Sequence, residues 1–332
     1  MRHVTPCLLA ALLAAAPAAA QDGAAADTAR MRTGRTYTQW FYEGKTDTLW
    51  ALFTPAMRAA VPTAAQLAAA REQLAGQLGA EAAVVRESAR EDDGIVTYVR
   101  VVRFQQGPQL QLRWSTDREG RIAGFMVRPH RDAAPSRFLD YATKTTLRLP
   151  FEGEWYVFWG GRTEEQNYHV IAADQRFAYD LVVMRGGKTH DGDGSALEQY
   201  YCFGRPILAP AAGTVVTAVD SLADQAPGRM DRAHPAGNHV ILDHGGGEFS
   251  LLAHLKRGSV AVRAGERVEA GRKLGECGNS GNTSEPHLHY HLQNAGEFGR
   301  GEGLPAQFTG YVADGRPVER GEPVKGQTIR PR

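Results

Sequence analysis

The chain is short of several features that would place it in a large class at once. It has 3 cysteines among 332 residues, and one of them, Cys7, stands at the very start. Cys202 and Cys277 alone remain, so they form one bridge in an oxidising compartment or stay as separate buried thiols. Neither sign of charge is in excess, with 38 Lys and Arg against 37 Asp and Glu. A balanced chain gives no reason to expect nucleic acid or an acidic membrane surface as partner. Beyond residue 20 no run is long and apolar enough to span a bilayer, so no transmembrane segment is expected there.

What is present begins with "MRHVTPCLLAALLAAAPAAA", residues 1–20. A basic start, a short apolar run and a small-residue end read as a cleaved signal peptide, so the mature protein is expected to be exported, periplasmic or extracellular. An uncleaved anchor helix is the other reading, but the run is short and a proline interrupts it. Cys7 follows a proline early in the run and is not read as an acylation site.

The 37 glycines suggest a turn-rich β protein. From about residue 27 to 79 the pattern is helical, with Asp47 and Thr63 as candidate N-caps and Gly79 near an end. The period then changes to two in "GIVTYVRVVRF", "QLQLRWSTD" and "RIAGFMVRP", which predicts an antiparallel meander. Residues 21–130 are thus expected to form a small α+β accessory domain without clustered His, Cys or carboxylates. Its layout resembles cystatin- or NTF2-like accessory domains. A linker is expected over 131–150. From 151 to 320, short strands with glycine turns predict a β-sandwich or barrel-like core.

Nine of the 11 histidines lie beyond position 160. His287, His289 and His291 alternate in "EPHLHYHLQ" and would share one face of a strand. An alternating triple beside further histidines in strand contexts is a metal-site candidate, because catalytic zinc takes three protein ligands and leaves a fourth position for water.

Three segments carry a resemblance: "GRPILAPAAGTVV" (204–216), "GNHVILDHGGGEFSLLAHL" (237–255) and "VRAGERVEAGRKLGECGNSGNTSEPHLHYHL" (262–292). They are similar, in order, to the lysostaphin/LytM-type zinc metallopeptidases, which cut peptide cross-links of bacterial peptidoglycan. The resemblance implies a mainly β chain whose C-terminal domain is a LytM-type (duplicated-hybrid-motif) β-sandwich peptidase. It also implies Zn2+ as cofactor, peptidoglycan peptides as substrate, and His289 and Asp180 as metal ligands. His287 and His254 become the catalytic histidines, His287 as base and His254 as stabiliser of the oxyanion, with the two roles open to exchange. The family's usual ligand histidine lies four residues before the aspartate, where this chain has Arg176. The chain resembles a branch in which N-x-H (Asn167, His169) followed by Q-R-x-A-Y-D supplies the ligand, which implies His169 as the third ligand. Asn167 is then expected to orient it, and His291 to make an outer contact or line the substrate groove. His291 stands where the family more often has an acidic residue.

Such a site would activate water as nucleophile beside a histidine base. His244 is expected to be structural and His190 to lie in a solvated loop. "DGDG" at 191–194 resembles a calcium loop but lacks the spaced acidic ligands. A catalytically inactive LytM-fold protein that regulates other cell-wall hydrolases is the rival reading. A lipoyl-like carrier barrel is a more distant one, since it has no use for the histidines. A monomer is expected.

Overall fold

The computed structural model describes residues 18–332, with side chains from residue 28 onward. Of the expected signal segment 1–20, residues 1–17, Cys7 included, lie outside the described residues. No described helix is long and apolar enough to cross a membrane. The chain forms two compact units, Met1–Arg131 and Asp132–Arg332. It is mainly β, with antiparallel sheets and a small helical region near the N-terminus.

In unit 1, α1 (Ala18–Tyr42), α2 (Thr46–Ala51), α3 (Pro55–Ala60) and α4 (Ala64–Leu78) precede four strands, β1 (Glu81–Asp92), β2 (Ile95–Phe104), β3 (Leu110–Thr116) and β4 (Ile122–Pro129). The strands pair in chain order as an antiparallel meander. Thr63 caps α4 in a reciprocal capping box with Gln66, which satisfies two amides that a helix start leaves without partners. Asp47 is not an N-cap: Lys45 holds that position, and Asp47 lies in the first turn of α2, where a carboxylate still meets the positive end of the helix. Tyr37 and Phe41 of α1 pack on Trp114, which stacks on Phe125 at 4.0 Å between centroids. The helix approaches the sheet closely at Gly34, where a Cβ would lie 2.0 Å from Cγ of Tyr98. Beside this core, Arg35, Tyr98 and Arg100 all donate to the Glu87 carboxylate, and Arg100 also reaches Glu81.

Unit 2 carries thirteen strands: β5 (Trp155–Trp159), β6 (Tyr179–Val182), β7 (Pro206–Leu208), β8 (Gly213–Val219), β9 (Asn238–Asp243), β10 (Phe249–Leu255), β11 (Arg267–Val268), β12 (Lys273–Glu276), β13 (Leu288–Gln293), β14 (Gly303–Leu304), β15 (Phe308–Ala313), β16 (Arg316–Gly321) and β17 (Thr328–Pro331). The large sheet runs β11-β8-β9-β10-β13-β6-β5-β17-β15-β16, β14 adds to β13, and β7 pairs with β12 separately. Three strands at its centre, β10, β13 and β6, bear the histidines and the aspartate. On β13, Leu288, Tyr290 and Leu292 enter the hydrophobic core, so the pleat puts His289, His291 and Gln293 on the other face.

The stretch expected as a linker is packed instead. Leu147 and Leu149 are in the core of unit 2, and Tyr141, Lys144 and Thr145 all donate to the buried Glu248 carboxylate on the β9–β10 turn. Those hydrogen bonds and apolar contacts give the segment a fixed place, which composition alone did not reveal. Cys202 and Cys277 are free, buried thiols in the same core.

Candidate metal centre

Asp180 sits on β6 directly opposite His289 on β13. Antiparallel pairing therefore places the two side chains on one face, and Oδ1 of Asp180 is 2.9 Å from Nδ1 of His289. His169 arrives from a short 3-10 turn, Tyr168–Ile171, with its Nε2 3.6 Å from the same oxygen. One ligand atom from each of His169, Asp180 and His289 falls within 4.8 Å of the others, and all three side chains are buried.

The 3-10 turn is itself fixed. Asn167 accepts the His169 amide at 3.1 Å and the His169 Nδ1 hydrogen at 2.8 Å, while its own amide donates to the Gly161 and Ala178 carbonyls. An amide group so held offers only its oxygen to His169, so the histidine carries its hydrogen on Nδ1 and turns a lone pair on Nε2 toward Asp180. Arg176, at the position where the related motif has its histidine, donates to the Val170 carbonyl and so buttresses the turn that carries His169.

The other two histidines are anchored in the same way. His287 donates Nδ1–H to the Glu285 carbonyl at 2.8 Å, and its Nε2 lies 3.5 Å from Oδ1 of Asp180. His254 donates Nδ1–H to the Ser280 carbonyl at 2.8 Å, and its ring is 4.8 Å from that of His287 and 5.7 Å from that of His289. His254 has φ +61°, a left-handed conformation rare outside glycine, beside an irregularity in the β9–β10 register. Strain of this kind, on the order of 1–3 kcal/mol, persists only where the surroundings hold it, and functional sites are where it clusters. Gly237 makes room beside it, because with φ +59° a Cβ there would come 2.1 Å from the same Ser280 carbonyl oxygen.

Burial, with smaller contributions from His289 and His287, lowers His169 to about 3, against the pull of Asp180. Burial and the neighbouring imidazoles also hold His254 well below its usual value. For His287, burial works against the charged form, but the Asp180 carboxylate prevails and raises it to about 9. Burial alone would raise Asp180; the histidines around it drive it well below the carboxylate range. Burial and then Asp180 raise the Tyr168 hydroxyl.

The structure thus brings His169, Asp180, His254, His287 and His289 together, with Asn167 behind His169. His291 stands on the far side of the His289 ring, its Nδ1 3.0 Å from His289 Nε2, too far round to share the three-ligand cluster. Gln293, Ser280 and Glu285, which act on the histidines, were not expected from the sequence. For Gln293 the signal was there, since the period-two file of β13 extends to it. His244 bonds the Ala212 carbonyl and the Ser250 hydroxyl. His190 bonds its neighbour's carbonyl and packs on Tyr200.

A neutral imidazole, a deprotonated carboxylate and a second imidazole, all buried and with no lysine or arginine among the ion-pair partners of the carboxylate in the described residues, make a donor set that suits a divalent ion such as zinc. The description of Peptidase family M23 matches residues 195–299, a span that includes His254, His287, His289 and Gln293. Peptidoglycan DD-endopeptidase ShyA of Vibrio cholerae is 34% identical over 90 residues, which cover 27% of this chain and 17% of that protein. Lipoprotein NlpD of Yersinia enterocolitica is 32% identical over 94 residues, covering 28% of this chain and 82% of that sequence. The chain spans only about a sixth of the length of ShyA. Among solved structures, the lysostaphin catalytic domain of Staphylococcus simulans is 18% identical with a TM-score of 0.26, covering 43% of this chain and 82% of that one. A zinc-containing peptidase from Vibrio cholerae is 14% identical with a TM-score of 0.29, covering 68% and 54%. The chain belongs to peptidase family M23.

Proposed function

We propose that the protein is an exported zinc metalloendopeptidase that hydrolyses peptide cross-links of bacterial peptidoglycan. The observation that carries the reading is the convergence of His169, Asp180 and His289 within 4.8 Å, with two further buried histidines at their side. Zinc held by these three residues would supply a Lewis acid that polarises a peptide carbonyl and lowers the pKa of water from ~15.7 to about 7.

The chain's own residues do the rest. His254 is kept neutral by burial, and with Nδ1–H tied to the Ser280 carbonyl its Nε2 lone pair is free to take a proton from the attacking water. His287 is the more basic of the pair. Raised to about 9 beside Asp180, it is the better placed of the two to donate toward the developing oxyanion. These electrostatics favour the exchange of the two roles first expected, in which His287 was the base. Asn167 holds His169 in register, and the strained backbone of His254 fixes its ring beside the other two.

The test measures bound zinc and the release of soluble fragments from purified peptidoglycan, for the chain lacking residues 1–20 and for its His289→Ala variant. Zinc in the first protein, fragments released by it, and loss of both in the variant are expected. A zinc-loaded protein that releases no fragments would falsify the enzymatic reading and favour a regulatory M23 protein. His169→Ala with unchanged zinc affinity removes that residue from the ligand set.

A further inference from the structure

Three of the four histidines at the centre, His169, His254 and His287, hold Nδ1–H against an oxygen that can only accept and direct Nε2 inward. His289 is reversed: Nδ1 faces Asp180, and Nε2 faces away from it. No carbonyl sits behind it to choose its tautomer. Another imidazole does, and an imidazole can either donate or accept. We propose that His291 and Gln293 form a buried hydrogen-bond relay that fixes His289 with its hydrogen on Nε2 and a lone pair on Nδ1.

The direction of the relay is set from its far end. Gln293 donates its amide hydrogens to the Ala295 carbonyl at 2.6 Å and the Glu297 carbonyl at 3.1 Å. Both partners accept only, so the amide cannot be flipped, and Oε1 is the atom that meets His291 Nε2 at 2.8 Å. An amide oxygen accepts, so His291 carries its hydrogen on Nε2. His291 is fully buried, and its two ring nitrogens face an amide oxygen and an imidazole, neither of them an anion. An imidazolium there would lack a counter-charge, so the ring is neutral and Nδ1 holds a lone pair. That lone pair, 3.0 Å from His289 Nε2, accepts the His289 hydrogen. His289 Nδ1 is left with its own lone pair, 2.9 Å from Oδ1 of Asp180. Two acceptors pointed at each other repel unless a proton or a metal cation lies between them.

The relay thus keeps the Nε2 hydrogen of His289 occupied and presents Nδ1 to an arriving ion. The hydrogen bond to a ligating imidazole's second nitrogen sets its tautomer and raises its basicity, and losing such a partner costs 10–100-fold in metal affinity. The three side chains lie along one face of β13, and water has no access to compete: His291 and Gln293 are both 0% exposed. His291 and Gln293 are positioning residues here, and their importance as such rests on the reading of His289 as a metal ligand.

The tautomers can be read directly by long-range 1H–15N correlation spectra of the full chain labelled with 15N-histidine, with and without zinc, alongside zinc affinity by chelator competition. In both states His291 is expected as the Nε2–H form, with a hydrogen on Nε2 of His289. His291→Leu is expected to weaken zinc by about 10–100-fold, and His291→Glu, which restores an acceptor for His289 Nε2, to recover most of that loss. A hydrogen on Nδ1 of His291 in the wild type, or zinc affinity unchanged in His291→Leu, would overturn the relay. A wild type that binds no zinc yet shows the expected tautomers overturns the metal-ligand reading and leaves the relay standing. The wild-type spectra need no variant to fold.

Discussion

In unit 1, Glu81 and Glu87 are met by Arg35 and Arg100; in unit 2, the ion-pair partners of Asp180 are His169, His287 and His289. Both are knots of ionisable groups set against a hydrophobic core. The first is complete as it stands, because each carboxylate faces a guanidinium whose charge is permanent, and the arginines are raised rather than lowered by the contact. The second rests on imidazoles, whose charge is not permanent: His169 and His254 are held neutral and His287 alone is raised beside Asp180, so the knot can give up a proton for a divalent cation. Burial of charge is therefore no guide to function by itself. What separates the structural knot from the candidate metal centre is whether the cations in the chain are permanent, as in arginine, or titratable, as in histidine.

The contrast is open to being broken at its strongest point first. Asp180→Asn removes the single carboxylate of the centre and is expected to bring the zinc content of the purified protein to background, with the fold retained; circular dichroism and metal analysis read the two separately. Next in size, Gly34→Ala drives a methyl against the ring of Tyr98 and should lower the stability of unit 1 by about 2–3 kcal/mol. Zinc affinity is expected to be unchanged in that protein, and a parallel loss of metal would show that the units are not independent.

Asn167→Ala leaves His169 without the acceptor for its Nδ1 hydrogen. Zinc should bind about 10–100-fold more weakly, a smaller loss than that from deleting a ligand. The gentlest test is acid. Arg35, Tyr98 and Arg100 outweigh burial and bring Glu87 down to about 2 from its ordinary value near 4.5. A carboxyl depressed in the folded state binds fewer protons than it does unfolded, so its stabilisation is whole above pH ~4.5 and is lost as pH falls toward 2. Unit 1 should melt progressively lower across that window, and Glu87→Gln should flatten the dependence. An unaltered profile would mean that the guanidinium contacts are not what depresses the group.

Much of this was legible in the residues. The change from a helical to a two-residue period marked the α-to-β order of unit 1, and Thr63 announced the N-cap of α4, since both depend on neighbours within four positions; the reciprocal bond from Gln66 came with the structure. The file of His289 and His291 needed only the pleat of a strand, whereas His287, expected on the same strand face, precedes β13 and is held by the Glu285 carbonyl instead. Other features did not show. Asp47 has the chemistry of an N-cap, but the preceding helix ends so close to it that Lys45 takes the position. The stretch 131–150 reads as a linker by composition, yet Leu147 and Leu149 are core residues, and a turn about 100 residues away supplies Glu248 to tie the stretch down. Arg176 marked a departure from the usual motif without saying where the missing ligand comes from. A 3-10 turn brought it from His169.

The sequence by itself determined which side chains share a face and that histidines and one aspartate gather in the second half of the chain. Covalent geometry alternates a strand's side chains wherever the strand is placed, so no fold is needed to know it. Only the tertiary structure decided which nitrogen of each ring points inward. That choice belongs to partners held in place by the fold: the Ser280 carbonyl, 26 residues from His254, the nearby Asn167 oxygen for His169, and, for His289, a glutamine two hydrogen bonds away along the same strand. A histidine's two nitrogens are alike in the sequence and become different only when something folded beside them accepts a hydrogen.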